Sequence, residues 1–390
     1  MKFMKYAVFF YASVGIEPYT KSSRSQKKSL SSDLLFWANV INLSVNIAGE
    51  FMYLGVSLYN GQLIEAVTVM SYIGFAFVGM SKMFFIWSRK RALSSMVDEL
   101  EMIYPPNPIQ EEKYCLHSYL RSCSRISIIY SLLYLLLIWT FNLFNMMQYL
   151  VYEKWLKIRT VGQTLPYSEY FPWVWEGNLS FYLQFLSQNF AGHSSASGQI
   201  STDLLLCAVA TQVVMHFDYL GRVLEKHKLT GDWKKDSKFL VKTVRYHQRI
   251  LRLTEVINEI FGLPLLLNFM VSTFVICFVG FQMTVGVPPD LLVKLFLFLF
   301  CSMCQVYLIC HHGQLIADAS SGLAIAAYNQ NWSYADVRYR RALVFIIARS
   351  QKITYLKATV FMNITRATMT DILQTSYKFF ALLRTMITCL

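Results

Sequence analysis

Charge is scarce in this sequence: Asp, Glu, Lys and Arg make up 15% of its 390 residues, whereas 55% are hydrophobic and 16% aromatic. So little polar surface excludes an ordinary soluble domain, in which about a quarter of the residues are charged. Catalytic fingerprints are missing as well. There is no Gly-x-Ser-x-Gly, no P-loop and no Gly-x-Gly-x-x-Gly, which excludes the nucleophile elbow and the common phosphate cradles. The pairs His216-x-Asp218 and His311-His312 lack the further ligands that a zinc site needs. None of the eight cysteines lies in the long segment 153–180, so a disulfide framework is not expected. Cys301-x-x-Cys304 has metal-like spacing but sits in an apolar run with no second pair, and packing is its expected role. No internal repeat and no separate soluble domain is visible. Neither an enzymatic activity, a metal nor a cofactor is expected.

What the chain has in abundance is long apolar runs. Crossing about 30 Å of hydrocarbon takes about 20 mostly apolar residues. Residues 34–59, 63–87, 126–152, 261–285 and 291–310 meet that length, and 181–220 and 357–390 are long enough but rich in Ser, Thr, Asn and Gln. The expected fold is therefore an all-α integral membrane protein of seven helices, forming one unit over residues 1–390. The net charge of +13 does not point to nucleic acid, because the basic residues gather in alternate loops rather than on one face. Lys and Arg number six in residues 1–33, five in 88–124, ten in 221–255 and six in 315–357, against none in 60–62 or 286–290 and three in 153–180. Cationic loops stay in the cytoplasm during insertion, which sets the N-terminus inside and, with seven spans, the C-terminus outside. Asn178-Leu179-Ser180 is a glycosylation sequon in a loop that the same count places outside.

Between the runs, Ala7–Ile16 after Lys2 and Lys5 suggests a short helix in the inner membrane interface rather than a cleaved leader. Residues 221–255 interleave charges with Val241, Val244, Leu251 and Leu253 at helical spacing. The fourth and fifth spans should therefore continue as helices beyond the membrane. Polar residues inside spans need a partner, a cavity or water. In the first span Asn39, Asn42, Asn46 and Glu50 form one stripe, which suits hydrogen bonding between helices. In the fourth, the run from Ser187 to Thr202 serves either close helix contact or the lining of a buried cavity. In the last, Asn363, Thr365, Arg366, Thr368, Thr370, Asp371, Gln374, Thr375 and Ser376 make a helix that needs protein or water beside it, as a pore-lining helix does. One such helix cannot enclose a pore, so several subunits around an axis are implied.

The stretch from Asn331 to Arg384 resembles the C-terminal signature of insect odorant receptors, particularly those of flies. Its members here are Trp332, Arg349, Ser350, Gln351, Ser376, Tyr377, Leu382, Leu383 and Arg384. Gustatory receptors share the architecture but usually end differently. The resemblance implies the odorant-binding subunit of an odorant-gated, non-selective cation channel, a hetero-oligomer (taken as a tetramer) with the shared odorant co-receptor. It also implies a multi-pass plasma-membrane protein of olfactory neuron dendrites. The final helix would line the pore through Tyr377, Ala381 and Arg384, although Lys378 and Arg384 add positive charge that disfavours cations if either faces the axis. A G-protein-coupled receptor is the rival, but it needs an outside N-terminus, and neither Asp-Arg-Tyr nor Asn-Pro-x-x-Tyr occurs. A transporter would show paired repeats and broken helices.

With the odorant held in the outer half of the bundle, the expected site lies between the second and sixth spans. Its expected members are Met70, Ser71 and Phe75 on the second, Ile138, Asn142, Asn145 and Tyr149 on the third, and Phe190, His193, Ser194 and Ser197 on the fourth. Phe278 and Phe281 from the fifth and Phe296 and Phe300 from the sixth would close it. The set is mostly apolar with a few polar groups, which suits a small neutral volatile such as an alcohol, ketone or ester. Asn145 is the polar group expected to discriminate among them. The plain alternative is that these aromatics pack the bundle.

Overall fold

In hydrocarbon each backbone N–H and C=O must be satisfied within its own segment, so long apolar runs fold as helices. The computed structural model describes residues 2–20, 30–157, 164–173 and 179–388. A short α1 (Lys5–Ser13) precedes α2 (Leu30–Tyr59), α3 (Leu63–Ser88), α4 (Lys90–Ile103), α5 (Pro108–Lys113) and α6 (Leu116–Gln148), which runs on into a π-helical turn, Tyr149–Trp155. Three long helices follow, α7 (Leu179–Lys226), α8 (Trp233–Gln282) and α9 (Pro289–Tyr328). Then come α10 (Val337–Gln351), a two-residue hairpin of β1 (Lys357–Ala358) and β2 (Met362–Asn363), and α11 (Arg366–Thr388). Among the described residues α2, α3, α6, α7, α8 and α9 are long and apolar enough to cross a membrane, and the amphipathic α11 is the seventh.

The 48 residues of α7 make it about 72 Å long, far more than a bilayer needs. Its continuation and that of α8 meet in a hairpin, as the spacing in 221–255 predicts. Asp236 closes the turn by accepting from the N–H groups of Thr230 and Gly231, both at 3.1 Å, while Gly231 takes the left-handed φ of +73°. The span limits read from hydropathy stop short of the helices here because the apolar run ends where Lys and Arg begin, but helical geometry does not.

The last span is corrected at its start. Residues 357–363, expected within that helix, form the hairpin instead. Asn258 of α8 holds its entry, donating to the Tyr355 carbonyl at 3.1 Å and accepting from the Lys357 N–H at 2.9 Å. The helix begins only at Arg366, with the Thr368 hydroxyl accepting from the Thr365 N–H at 3.1 Å.

At the centre of the bundle α7 is buried on all sides along its middle, which its Ser, Gly and Ala residues allow. A Cβ on Gly198 would come 2.6 Å from Met83 Cγ and 2.9 Å from the Gly79 carbonyl, so α3 and α7 touch through bare backbone. Around this core the outer faces are apolar. Ile129, Leu132, Leu136 and Trp139 form an exposed stripe on α6, a liability in water but the normal surface in lipid. The first helix forms as a short helix, Lys5–Ser13. It packs on α7, with Tyr11 buried and its hydroxyl 2.8 Å from Thr202 Oγ1.

Candidate ligand cavity

A partly open cavity of about 40 Å³ lies between α2, α3, α6, α7 and α9. Helix phase supplies the walls: Leu43, Ile47 and Glu50 from α2, Tyr72, Phe75 and Ala76 from α3, and Leu137, Ile138 and Phe141 from α6. Ala191, Gly192 and Ser195 of α7 and Phe298 of α9 complete them, and Tyr167 and Glu169 of the segment 164–173 close one end. The rings lock edge to face. Phe298 meets Phe75 and Phe141, each at 5.6 Å between centroids, and Tyr72 meets Tyr167 at 5.5 Å.

The closing segment is pinned on both flanks. Gln188 of α7 accepts from the Tyr167 N–H and donates to its carbonyl, both at 3.1 Å, and the Tyr170 N–H donates to the Gly49 carbonyl at 3.2 Å. The Tyr167 hydroxyl donates to Asn142 Oδ1 at 2.9 Å. It passes so close to Gly192 that a Cβ there would lie 2.7 Å from it. Burial pushes the Glu169 carboxyl up to about 8, against a hydrogen bond from Gln188 that lowers it.

Beneath the cavity a buried polar chain starts from its wall. The Phe75 carbonyl accepts from Gln199 Nε2 at 2.9 Å. Gln305 in turn donates to Gln199 at 3.2 Å and to Asp203 at 2.7 Å. Asp203 pairs with Lys82 at 2.6 Å and accepts from the Tyr130 hydroxyl at 3.1 Å. Each charge is thereby paired and hydrogen-bonded, as burial at this depth requires. The polar stripe of α2 is divided in its use. Ser194 donates to Asn39, Asn42 donates to the Ser187 carbonyl at 3.0 Å, and Asn46 donates to Ser187 Oγ at 3.2 Å, so these three join helices. Glu50, the fourth, borders the cavity, as Asn46 also does.

Of the site residues expected from sequence, Phe75 and Ile138 line the cavity, and Asn142 stands behind its wall holding Tyr167. Asn145 lies off the wall, held by Lys294 and by the Leu165 carbonyl at 3.2 Å. Ser71 accepts from Gln282 at 3.1 Å, Ser194 is bound to Asn39, and Ser197 is 3.4 Å from both Ser13 Oγ and His193 Nε2. Phe281 is buried within the bundle, Phe278 stacks on Phe274, and the Tyr149 ring lies under Lys154. Met70, Phe190, Phe296 and Phe300 point outward. The fifth span thus contributes no wall and the first does. Phe298, Phe141, Tyr72, Glu50, Tyr167 and Glu169 were missed. Residues 295–300 are apolar throughout, so no phase signal singles out Phe298, and a loop pair such as Tyr167 and Glu169 has no periodicity at all.

On α11, Tyr377, Ala381 and Arg384 are all exposed, as is Lys378. The helix is tied to the bundle by Ile372, Ser376 and a Phe379–Phe274 contact at 5.3 Å. The sequon at Asn178 lies outside the described residues. Among the described residues no cluster of His, Cys, Asp and Glu could hold a metal ion, and the cysteines are free.

The family model described as 7tm Odorant receptor matches residues 62–377. Odorant receptor 85c of Drosophila melanogaster is 74% identical over 386 residues, covering 99% of both chains, and odorant receptor 85b is 65% identical with the same coverage. Among solved structures, the insect olfactory receptor OR5 from Machilis hrabei in complex with eugenol superposes with a TM-score of 0.84. The match covers 98% of this chain and 97% of that one at 14% identity.

Proposed function

This chain belongs to the odorant receptor family of insects, and from that premise we propose that it is the odorant-binding subunit of a heteromeric, odorant-gated, non-selective cation channel. The observation that carries the reading is the cavity. It is mostly apolar, aromatic and lined from five helices in a chain whose nearly full-length relatives are named odorant receptors. A site so apolar binds mainly by burial, at about 25 cal/mol per Å², which suits a small volatile molecule. The structurally similar Machilis hrabei receptor, described in complex with eugenol, supports the same use of the fold.

The channel is formed with the odorant co-receptor in the plasma membrane, and Tyr377, Ala381 and Arg384 on the exposed side of α11 face the shared axis. The basic residues of 1–33, 88–124, 221–255 and 315–357 lie in the cytoplasm, so Asn178 is outside and open to glycosylation. No enzymatic role is proposed. Nothing on the chain favours the G-protein or gustatory readings.

Current recording from cells expressing the chain with and without the co-receptor tests the proposal. Odorant-evoked cation current is expected only from the pair, and a response from this chain alone that depends on a G protein would refute it. Tags at residues 1 and 390, stained without permeabilisation, check the orientation; only the second should label.

A further inference from the structure

The cavity is mostly apolar, and beside Asn46 and Ser195 its lining includes two carboxyl side chains. Glu50 comes from α2 and Glu169 from the closing segment. The hydrogen bond from the Tyr170 N–H to the Gly49 carbonyl brings the segment of Glu169 onto α2 one residue before Glu50, and both carboxyls line the cavity. Gly49 leaves the room, since a Cβ there would already lie 3.4 Å from Glu169 Oε2. Glu50 is only 4% exposed, and its Oε2 and Glu169 Oε1 are buried with no hydrogen-bond partner. Among the described residues no Lys or Arg lines the cavity. The nearby buried cations are engaged elsewhere, Lys82 with Asp203 and Lys294 with Asn145.

Buried polar atoms left without partners are costly, and a ligand that supplies the missing bonds removes that cost. Burial disfavours the charged form, so Glu169 retains its proton up to about 8. The pair therefore presents both an O–H and free lone pairs to the cavity. A hydroxyl complements both, because its oxygen accepts from the acid while its own O–H donates to the neighbouring oxygen. A ketone, ester or ether only accepts and leaves a lone pair unmet. An ammonium only donates.

We propose that Glu50 and Glu169 are the polar anchor of this cavity and that it selects alcohols, the hydroxyl seated between the two carboxyls and the hydrocarbon part among Phe75, Phe141 and Phe298. The proposal rests on the reading of the cavity as the odorant site. It departs from the sequence expectation, which gave the discriminating role to Asn145.

The test is dose–response recording on the chain with its co-receptor, using a straight-chain primary alcohol, its methyl ether, and the ketone and amine of equal length. Wild type should respond to the alcohol at concentrations about tenfold or more below the ether. Glu50→Leu and Glu169→Leu should bring the two within about threefold. Surface label and co-purification with the co-receptor at the wild-type level show that they fold and assemble. An amine or ketone more potent than the alcohol in wild type, or an alcohol preference that survives both Leu variants, overturns the anchor. Phe75→Trp, which fills the cavity, separates the two levels. If it abolishes all responses while the Leu variants keep the alcohol preference, the anchor alone is wrong. If responses survive it, the odorant is bound elsewhere and both readings fall.

Discussion

Phe298 and Phe296 sit two residues apart on α9 yet face opposite ways, one 4% and the other 62% exposed. Truncating each to Ala therefore separates the cavity from the lipid face. Phe298→Ala removes two edge-to-face contacts, each worth about 0.5–1.5 kcal/mol beyond the burial of the ring, so about 1–3 kcal/mol is lost in addition to the burial itself. The same truncation lengthens the cavity. Each further methylene that a ligand can bury contributes about 0.8 kcal/mol, about fourfold in concentration, so a ligand longer by two methylenes should gain on the order of tenfold relative to its parent. Phe296→Ala should change neither quantity. The assay is a homologous series of odorants recorded on each variant with the co-receptor, normalised to surface label. A shift in preferred chain length with Phe296→Ala, or none with Phe298→Ala, would refute the assigned wall.

Lys82→Met leaves Asp203 buried and unpaired and should cost about 3–5 kcal/mol, read as lost surface label and a lower Tm in detergent, while Lys82→Met with Asp203→Leu should recover much of it. Double-variant stability below that of the single would show that the pair does not act as a unit. Arg384→Gln on the exposed face of α11 should change single-channel conductance without changing which odorants activate; unaltered permeation there and in Tyr377→Ala removes this face from the pore. Glu169 shares the cavity lining with Glu50 of α2, Tyr72 of α3 and Tyr167 of its own segment, and among the described residues no cation lines it. Its folded value of about 8 lies above the ordinary 4.5, so the folded chain holds a proton that the unfolded chain releases between those values. Stability should fall as pH rises through that window and level off above about 8, and Glu169→Gln should flatten the decline in Tm. Potency for a hydroxyl ligand should likewise drop between pH 7 and 9, and a flat profile in both measurements would contradict the raised carboxyl.

The fold was legible because the bilayer imposes a strong rule: an apolar run of sufficient length, such as 63–87, is a helix and little else. The hairpin at residues 357–363 was not legible, since its cause is Asn258, a hundred residues away in sequence. The site was legible in part. Phe75 and Ile138 follow from the depth of a residue along its span, but the direction of a side chain around the helix axis depends on neighbours. A helix apolar on every face, like α9 near Phe298, gives no phase. The stripe ending in Glu50 was visible as a stripe, yet nothing in it shows that Asn46 and Glu50 border a cavity also lined by Glu169 of a separate segment.

The central claim is that a ligand occupies the space between α2, α3, α6, α7 and α9. Cysteine accessibility tests it directly: Ile138→Cys on the cavity wall and Ile129→Cys on the lipid face, each expressed with the co-receptor, are exposed to a small thiol-reactive reagent with and without a saturating agonist, wild type serving as the background. The account predicts that modification at position 138 silences the response and is slowed at least tenfold by agonist, while position 129 is insensitive to it. Equal rates of modification at position 138 with and without agonist would contradict it.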